Sequence, residues 1–498
     1  MTTPAVANTT VAQLEEIIAA AATAAPILAT RAPAEIAEWL DAAADALDAE
    51  AEALLPLAEE ETHLPARPRL AGELLRTTFQ LRFFGNLLRE GAHLGATIDH
   101  ADSDWPMGPR PDIRRHHVPF GPVLVFAASN FPFAFSVAGG DTASALAAGC
   151  PVILKAHPGH PRLSDLTGKI VAEALTKAGA PYGTFAVIHG VDVGVTALRD
   201  PRIAASSFTG SVPGGRALFD IAAARPVPIP FYGELGSVNP VVVTPGAVRE
   251  RGAELVKAYV GSFTLGAGQF CTKPGLLFLP EGHGLTDELA AAVGATKAQP
   301  LLNEHIASGF ASRLSTLESE AGVRVLVGDD TNDRSAPHPT LVMVSGEDFA
   351  ANIEALREEC FGPSSLVITY GDLGELLDLL GGLEPSLTAT IQGQTDEAGQ
   401  EEEADLVNLL LPILGRLAGR ILWNEWPTGV TVSWAQQHGG PYPATTAPGT
   451  TSVGAAAITR FLRPVAWQGF PHTFLPPALR EENPWKVPQR VDGQLRLP

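Results

Sequence analysis

VLVFAAS (123–129), followed by SVAGGDTASALAAGC (136–150) and PVILKA (151–156), is the stretch that decides the fold. Its first and third segments are short apolar runs, which are typical of strands buried on both faces of a parallel sheet. The segment between them consists of small residues and has a glycine near its end, as helices often do. A strand, a helix and a second strand in this order predict a parallel sheet covered by helices, and therefore an α/β fold.

The same alternation continues along the chain. RLSDLTGKIVAEALTKAG (162–179) predicts an amphipathic helix, and TFAVIHG (184–190) predicts the next strand. Residues 9–92 have alanine, leucine and glutamate at helical spacing, so helices precede the first sheet. A second unit begins near residue 240 and again mixes strands with helices. The strands predicted in it are 275–280, 323–328 and 364–370.

The composition excludes several classes of partner. The chain has 498 residues, of which 45% are hydrophobic and 18% charged, as expected of a globular protein with a large core. Its net charge of -21 repels phosphate backbones and anionic lipids, so we expect no nucleic-acid and no membrane partner. We find no run of about 18 uninterrupted apolar residues and predict no membrane-spanning segment.

Cysteine is rare, with only Cys150, Cys271 and Cys360 in the chain. Such a small and odd number argues against a disulfide scaffold and favours a reducing compartment, so we expect a cytoplasmic protein. The N-terminal segment has no basic start and does not resemble a signal peptide.

Cys271 lies in an unusual setting, GQFCTKPG (268–275), between a glycine and a Pro-Gly break. A loop of this kind can present a nucleophile to a substrate. A free thiol has a pKa of about 8.5, however, so it needs a helix N-terminus, a cation or a base nearby to become a thiolate. Simple packing explains most single cysteines, and that alternative stays open for Cys271 taken alone.

Two polar residues occur where polar residues are costly or well placed for chemistry. Asn130, in ASNFPFAF (128–135), follows a predicted strand at the end where parallel sheets bind ligands. Its amide could stabilise an oxyanion or could simply form a turn. Glu234, in GELGSVNP (233–240), lies among apolar and small residues, where loss of water would raise its pKa towards that of a general base. A salt-bridged core glutamate is the alternative.

These three stretches and EECFGP (358–363), taken in order, resemble the aldehyde dehydrogenase superfamily, and the resemblance runs from about residue 60 to 480. The resemblance implies that Cys271 is the nucleophile and Glu234 the general base, and that Asn130 polarises the aldehyde oxygen together with the backbone N–H of Cys271. It also implies that Glu359 holds the nicotinamide ribose and that Phe361 lies beside the nicotinamide.

The cofactor segment departs from the common dinucleotide fingerprint, because G-x-G-x-x-G is missing, as it is in this superfamily. FTGSVPGG (208–215) instead places Gly210, Ser211 and Gly215 at the start of a predicted helix. Backbone N–H groups at a helix N-terminus can bind a pyrophosphate. We therefore predict the cofactor's pyrophosphate at this turn.

The choice between the two nicotinamide cofactors depends on ILKAHPGHP (153–161). Lys155 matches the family's lysine at the adenosine ribose. Family members that prefer NAD often have a glutamate three residues later, whereas this chain has Pro158. His157, His160 and Arg162 follow closely, although each histidine alone reads as loop surface. We predict NADP as the preferred cofactor, with NAD also accepted.

Several longer stretches resemble one subgroup of the superfamily, the ketoglutarate semialdehyde (2,5-dioxopentanoate) dehydrogenases and the NADP-dependent fatty aldehyde dehydrogenases. They include the segment after Asn130 and PTGVTVSWAQQHGGPYPATT (427–446). Lys273 departs from the subgroup, where a small or polar residue is expected. Its ammonium could face the thiol of Cys271 and lower the pKa of that thiol, or point away.

The substrate is less well defined by the sequence. A semialdehyde with a distal carboxylate needs a cation, and the candidates before Asn130 are Arg110, Arg114 and Arg115. An apolar tunnel for a longer aldehyde could be lined by aromatic residues, which could equally belong to the core. These residues are Phe131, Phe133, Phe135 and Trp434.

The resemblance implies three parts. Residues 1–239 form a cofactor-binding domain, to which 432–454 return, and 240–431 form a catalytic domain with the nucleophile. An oligomerisation arm would combine 102–118 with the C-terminal tail, 455–498. Shared edge strands would give a homodimer or a homotetramer. We expect a small-molecule aldehyde as substrate and no bound metal.

Three other functions are alternatives to oxidation of an aldehyde to a carboxylate. A coenzyme A-acylating dehydrogenase tends to lack the hydrolytic base, so Glu234 argues against it. A catalytically silent scaffold of the same fold would need none of Asn130, Glu234 and Cys271. A thiol protease needs a histidine partner for its cysteine, and no protease pattern surrounds Cys271.

Overall fold

The computed structural model describes residues 6–329, 331 and 333–498. Strands and helices alternate through most of the chain after an N-terminal helical layer. The α-helices are α1 Val11–Leu28, α2 Pro33–Ala49, α3 Ala51–Thr62, α4 Ala71–Glu90, α5 Gly140–Ala147, α6 Pro161–Lys177, α7 Val191–Arg199, α8 Val212–Ala223, α9 Pro245–Phe263, α10 Thr286–Gly294, α11 Glu304–Ser319, α12 Gly346–Ala351, α13 Ile353–Leu356, α14 Leu373–Gly381, α15 Glu397–Glu402 and α16 Ala404–Leu417.

The strands belong to three sheets. They are β1 Ala96–Asp99, β2 Ile113–Pro119, β3 Val123–Phe126, β4 Val152–Lys155, β5 Phe185–Ile188, β6 Ala205–Thr209, β7 Phe231–Glu234, β8 Val241–Val243, β9 Leu276–Pro280, β10 Arg324–Val327, β11 Thr340–Ser345, β12 Ser364–Tyr370, β13 Ser386–Gln392, β14 Ala418–Trp423, β15 Leu462–Gln468, β16 Gln489–Val491 and β17 Gln494–Arg496.

The first sheet has the strand order β5-β4-β3-β6-β7, and all its strands are parallel. Side chains of β3 alternate between two hydrophobic clusters: Val123 and Val125 face α2, α4, α5 and α6, whereas Leu124 and Phe126 face α1, α7 and α8. Both faces of the sheet are therefore covered, which is why β3 and β4 read as unbroken apolar runs. The predicted doubly covered parallel sheet is confirmed.

Helix α1 is long and apolar enough to cross a membrane, judged by length and composition alone. Five of its residues are nevertheless buried, and Leu14, Ile18 and Ala21 share a cluster with Leu124 of β3. The absence of a membrane partner stays a prediction.

The second sheet has seven strands in the order β10-β11-β12-β9-β8-β13-β14. All neighbours are parallel except β10, which runs antiparallel to β11 at the edge. Its strands fall inside the predicted catalytic domain, 240–431. The five strands of the first sheet fall inside 1–239, and Glu234 bridges to Thr445 of the returning segment. The domain boundaries themselves stay a prediction.

A third sheet, in the order β15-β2-β1-β16-β17, joins the predicted arm segment to the C-terminal tail. Strand β15 pairs antiparallel with β2 along its whole length, and β16 pairs parallel with β1. Strand β1 was not part of the predicted segment 102–118, because its four residues carry too short a pattern to read.

One predicted helix is shorter than expected. The sequence predicts a helix over 136–150, but α5 occupies only Gly140–Ala147. The preceding backbone turns back on itself instead, and its N–H groups at Phe133 and Ala134 donate to the buried Glu73 of α4 at 2.8 and 2.9 Å. Glu73 also pairs with Arg69. This tertiary acceptor fixes the turn that carries Asn130, and local pattern does not reveal it.

We expect Glu73→Gln to lower the free energy of unfolding by about 2–4 kcal/mol, because it leaves Arg69 without its buried counter-charge. Urea unfolding followed by tryptophan fluorescence measures the change. Glu52→Gln on the exposed face of α3 is the control, with an expected change within about 0.5 kcal/mol. Equal stabilities of the two variants would contradict the role given to Glu73.

Candidate active site

The carboxyl ends of the first sheet's strands gather most of the predicted site residues. Register aligns Phe126 with Lys155 and Thr209 with Glu234. Lys155 and Glu234 thus end their strands at one edge, with Asn130 on the turn after β3 and Ser211 directly after β6. Ligands bind at this edge of open parallel sheets.

A close backbone contact explains the glycine, Gly268, at the start of the nucleophile loop. A Cβ on Gly268, whose φ is +66°, would lie 2.1 Å from the carbonyl oxygen of Gly362. Only glycine fits a left-handed conformation with such close backbone contact. The cysteine loop therefore lies directly against the turn of EECFGP (358–363), and the two motifs form one surface.

Asn239 holds the nucleophile loop from the other side. Its Nδ2 donates to the backbone carbonyls of Cys271 and Lys273 at 2.8 and 2.9 Å. Its Oδ1 accepts from Ser237 at 2.7 Å and from the hydroxyl of Thr388 at 2.9 Å. This fully buried amide orients the loop through its two contacts with the loop carbonyls, and no sequence motif singled it out.

Three side chains from distant parts of the chain meet at the centre of the site. The Cys271 Sγ lies 3.7 Å from His438 Nε2, and the same Nε2 lies 3.1 Å from Glu234 Oε1. Cysteine, histidine and carboxylate thus form a chain that can relay a proton. Their ligand atoms, all within 4.8 Å, could also hold a metal ion, and the absence of a metal stays a prediction.

His438 is the residue that our sequence analysis missed. It is completely buried and comes from the segment 432–454, with its N–H donating to Thr451 Oγ1 at 2.8 Å. The sequence shows no protease pattern around Cys271, and it did not point to this histidine contact. Sequence offers little signal, because 167 positions separate the two residues and only the fold brings them together.

The expected direction of the Glu234 pKa was also wrong. Burial acts to raise the pKa of this carboxyl, but the attraction of His438 and hydrogen bonds from His438 and Ser452 hold it below its ordinary value. Glu234 is therefore a carboxylate at neutral pH, in a salt-bridged setting that the sequence analysis left open as the alternative.

The surroundings of Cys271 favour the protonated thiol over the thiolate. Burial raises its pKa well above the ordinary value, and the negative charges of Glu234 and Glu359 raise it further, against a smaller opposing effect of Arg420. A thiolate must therefore be generated when substrate arrives, because it is not stable in the resting site.

Asn130 lies against the nucleophile loop, as predicted. Its Nδ2 donates to the carbonyl oxygen of Gln269 at 3.0 Å, which leaves the second amide N–H for another acceptor. Its own backbone carbonyl accepts from Arg69 at 3.0 Å. The amide is thereby held two residues from Cys271, but its role in polarising an aldehyde stays a prediction.

The N–H groups of the predicted pyrophosphate turn form more hydrogen bonds within the protein than the sequence suggests. Gly210 and Gly215 donate their N–H groups to the backbone carbonyl oxygens of Glu234 and Ser211, at 3.0 and 2.9 Å. Ser211 caps α8 by accepting from Gly214. A Cβ on Gly215 would lie 2.1 Å from Leu235, so this glycine permits close packing of α8 on the sheet. Cofactor binding by these residues stays a prediction that depends on the helix N-terminus.

Lys155 is buried at the end of β4, and burial lowers the pKa of its ammonium. Among the described residues no carboxylate pairs with it. The neighbouring basic residues already have partners within the protein. Arg162 pairs with Glu60 and Glu61. His160 is buried, and its ring nitrogens contact the hydroxyl of Ser164 and the backbone carbonyl of Ala128. His160 is therefore a core residue, and its interpretation as loop surface was wrong.

Lys273 points away from the thiol. Its Nζ donates to the carbonyl oxygens of Cys360, Gly362 and Ser364 at 2.6, 3.1 and 2.8 Å, and the side chain is only 2% exposed. The lysine thus fastens the turn that carries Glu359 and Phe361. Burial raises the pKa of Glu359 to about 7, although Lys273 acts against it.

The predicted substrate aromatics divide into three environments. Phe131 packs edge-on against Phe135 and Phe270, with centroids 5.3 and 5.2 Å apart, next to the nucleophile loop. Trp434 is 56% exposed and packs on Phe83 of α4. Phe133 is a core residue at 1% exposure and cannot line a tunnel.

The arginines proposed for a distal carboxylate lie elsewhere. Arg110 and Arg114 belong to the arm sheet, where they pair with Asp492 and Glu481, and Arg115 lies on β2 beside them. The cations near the nucleophile are instead Arg76 of α4, Arg69 just before that helix and Arg420 of β14, none of which a sequence motif marked. Arg69 stacks on Phe131, with its Cζ 4.5 Å from the ring centroid.

Known proteins resemble this chain over most of its length. A family model described as the aldehyde dehydrogenase family matches residues 2–408. The chain is 45% identical to alpha-ketoglutaric semialdehyde dehydrogenase 2 of Azospirillum brasilense, over 92% of this chain and 87% of that one. It is 42% identical, with the same coverage, to alpha-ketoglutaric semialdehyde dehydrogenase of Acinetobacter baylyi. The crystal structure of aldehyde dehydrogenase 21 from Physcomitrella patens has the same fold, with a TM-score of 0.75 and 23% identity over 92% of this chain and 91% of that one.

The raised pKa of Cys271 gives a pH-dependent prediction. Alkylation by iodoacetamide requires the thiolate, so its rate should reach half-maximum above the ordinary cysteine pKa of about 8.5. Glu234→Gln removes a negative neighbour that raises the pKa, so the midpoint should fall by roughly one to three pH units. Mass spectrometry of the Cys271 peptide against pH measures both midpoints.

Glu358→Gln is the control for this titration, because Glu358 is exposed on the adjacent turn. Its midpoint should match that of the unmodified protein. A midpoint that stays fixed or rises in Glu234→Gln would contradict the electrostatic coupling described above.

Proposed function

The chain belongs to the aldehyde dehydrogenase family, and we propose that it oxidises 2,5-dioxopentanoate, or a medium- or long-chain aldehyde, to the carboxylate through a thioester on Cys271. The chain formed by Cys271, His438 and Glu234 carries the proposal, because it supplies a nucleophile and a base in contact. Identity of 45% and 42% to two alpha-ketoglutaric semialdehyde dehydrogenases supports the first substrate.

The first step is attack by sulfur on the aldehyde carbon. Because the thiol is protonated at rest, its proton must leave as the bond forms, and His438 Nε2 at 3.7 Å is placed to accept it. Glu234 stabilises the resulting imidazolium at 3.1 Å. The oxygen of the tetrahedral adduct would accept from Asn130 and from the backbone N–H of Cys271, each donor being worth about 3–4 kcal/mol in a comparable site.

The second step removes hydride from the adduct and leaves a thioester. A bound nicotinamide supplies this chemistry by accepting the hydride. Residues with matching chemistry are available to hold it: the unpaired Lys155 and the N-terminus of α8 at Ser211 suit the ribose and pyrophosphate, and Glu359 and Phe361 suit the nicotinamide end.

The third step hydrolyses the thioester. Glu234 is a carboxylate, so it can accept a proton from water, and the hydroxide that forms attacks the carbonyl. The proton that His438 accepted in the first step returns to the leaving sulfur of Cys271, and the product leaves as a carboxylate. A buried hydrolytic base in contact with the nucleophile favours this outcome over transfer of the acyl group to coenzyme A.

We propose that NADP is preferred and NAD accepted. The support is Pro158, which puts no carboxylate near the position of a 2′-phosphate, and Lys155, which has no acidic partner among the described residues. His160 and Arg162 do not support the preference, because His160 contacts the backbone carbonyl of Ala128 and Arg162 pairs with Glu61.

We also propose a cytoplasmic homodimer or homotetramer. Strands β15 and β17 leave the arm sheet with unpaired edges, and β14 is the edge of the second sheet, with Ile421 and Trp423 partly exposed on it. Unpaired edges of this kind can pair with another copy of the chain.

The nucleophile is tested by cofactor reduction with a panel of aldehydes that includes 2,5-dioxopentanoate and straight-chain alkanals. Cys271→Ala should lower kcat by roughly 10³-fold or more, since no other group can form the thioester. Cys150→Ala, which changes a fully buried cysteine of the first domain, should keep most of the activity. Activity retained in Cys271→Ala would contradict the covalent route, and reduction that requires added coenzyme A would replace hydrolysis by acyl transfer.

Cofactor preference is tested at position 158. Pro158→Glu should lower kcat/KM for NADP relative to NAD by about 10-fold or more, because a carboxylate repels the 2′-phosphate. Pro158→Gln has the same size without charge and should leave the ratio near that of the unmodified protein. An unmodified protein that favours NAD, or a ratio unchanged by Pro158→Glu, would overturn the preference.

A further inference from the structure

Arg76 is a charged side chain that the mechanism above does not use. It lies on α4, and its Nη1 and Nη2 are both shielded from solvent without a hydrogen-bond partner among the described residues. A guanidinium is charged in proteins under all ordinary conditions. A buried cation with unsatisfied donors is costly, so its presence calls for an anion that the protein itself does not provide.

The guanidinium lies against the aromatic cluster next to the nucleophile loop. Its Cζ is 5.2 Å from the ring centroid of Phe135, which is part of the aromatic cluster next to the nucleophile loop. Burial lowers the pKa of Arg76, whereas the nearby charges of Glu73, Cys271 and Glu234 raise it. The charges of the nucleophile and the base therefore act on the Arg76 guanidinium.

Other arginines around the site already have partners. Arg69 pairs with Glu73 and donates to the backbone carbonyl of Asn130. Arg420 donates to the backbone carbonyls of Pro427 and Gly429 at 2.8 and 2.9 Å. Of these three cations near the nucleophile, Arg76 is the one with neither terminal nitrogen bonded in the part of the chain that the structure describes, whereas Arg420 bonds through Nη2.

Space for a ligand lies along the same helix face. Gly72 precedes Arg76 by one helical turn, and a Cβ built on Gly72 would meet no atom within 4 Å. Gly72 is exposed in the first turn of α4, so the helix surface before Arg76 is open to solvent. Arg69 and Arg76 both lie against the aromatic cluster, over Phe131 and Phe135 respectively.

We propose that Arg76 binds the distal carboxylate of a dioic semialdehyde and thereby selects anionic aldehydes over neutral ones of the same length. The inference rests on the proposed function, whose choice of substrate it narrows. The planar guanidinium can donate two parallel hydrogen bonds to one carboxylate. The Phe135 ring beside it excludes water, so the pair forms in a medium of low polarity where it is strong.

The alternative role for Arg76 is electrostatic support of the Cys271 thiolate. That role would act on every aldehyde equally and would move the pH midpoint of Cys271 alkylation. Recognition of a distal carboxylate would act only on substrates that carry one, mainly through KM. The two roles therefore predict different kinetics for one pair of substrates.

The experiment compares 5-oxopentanoate with pentanal, which have the same carbon number and differ in the distal carboxylate. Arg76→Gln should lower kcat/KM for 5-oxopentanoate about 100-fold, mostly through KM, and change that for pentanal less than about threefold. Arg76→Lys should recover part of the loss, since it restores charge without the planar fork. Arg82→Gln is the matched control on the same helix, because Arg82 is exposed and paired with Asp45 and Asp48.

Unchanged activity on pentanal also shows that Arg76→Gln is folded. Equal losses on both aldehydes, or an unmodified protein that uses pentanal as well as 5-oxopentanoate, would overturn the proposal. Calorimetric binding of glutarate separates this outcome from failure of the proposed function. Glutarate bound by the unmodified protein and lost in Arg76→Gln supports the carboxylate site even if neither aldehyde is oxidised, whereas equal or absent binding overturns it.

Discussion

The buried contact between the Glu234 carboxylate and the His438 imidazole organises the whole site. Glu234 ends β7 of the first sheet, and His438 belongs to the segment that returns from the second sheet. Both side chains are almost fully removed from water, at 4% and 0% exposure, so the contact joins two buried polar groups that need each other as partners. The contact thereby fixes how the two sheet domains meet, and Cys271 lies in the resulting crevice.

The loops around this contact are held by backbone carbonyls more than by ion pairs. Asn239 binds the carbonyls on either side of Thr272, and Lys273 binds three carbonyls of the neighbouring turn. Carbonyl contacts of this kind fix backbone position without adding charge near the thiol. The ammonium of Lys273 donates to these carbonyls and points away from the thiol. The nearby negative charges of Glu234 and Glu359 therefore dominate the electrostatic field at Cys271.

The sequence predicted the parts of the molecule that local pattern encodes. Unbroken apolar runs revealed the buried strands β3 and β4, and motifs at strand ends or in glycine loops revealed Asn130, Glu234 and Cys271. Contacts between distant segments could not be predicted from the sequence. His438 and Arg76 carry no local signal, and their importance arises only because the fold brings them to the nucleophile.

The same reason explains the wrong direction predicted for the Glu234 pKa. An acidic residue among apolar neighbours suggests desolvation alone, which raises the pKa. Its partners, His438 and Ser452, lie some two hundred positions further along the chain and reverse the outcome. Burial can be inferred from a pattern, whereas a buried group's partner cannot, and the partner decides the sign.

This charge arrangement also determines how the nucleophile must work. A carboxylate bound at Arg76 would neutralise that cation and add to the negative field of Glu234 and Glu359 around the thiol. Substrate binding would then make a free thiolate less stable. Attack must therefore be coupled to proton transfer, with His438 removing the proton as the carbon–sulfur bond forms. A thiol kept protonated between turnovers is also less open to oxidation, since the thiolate is the reactive form.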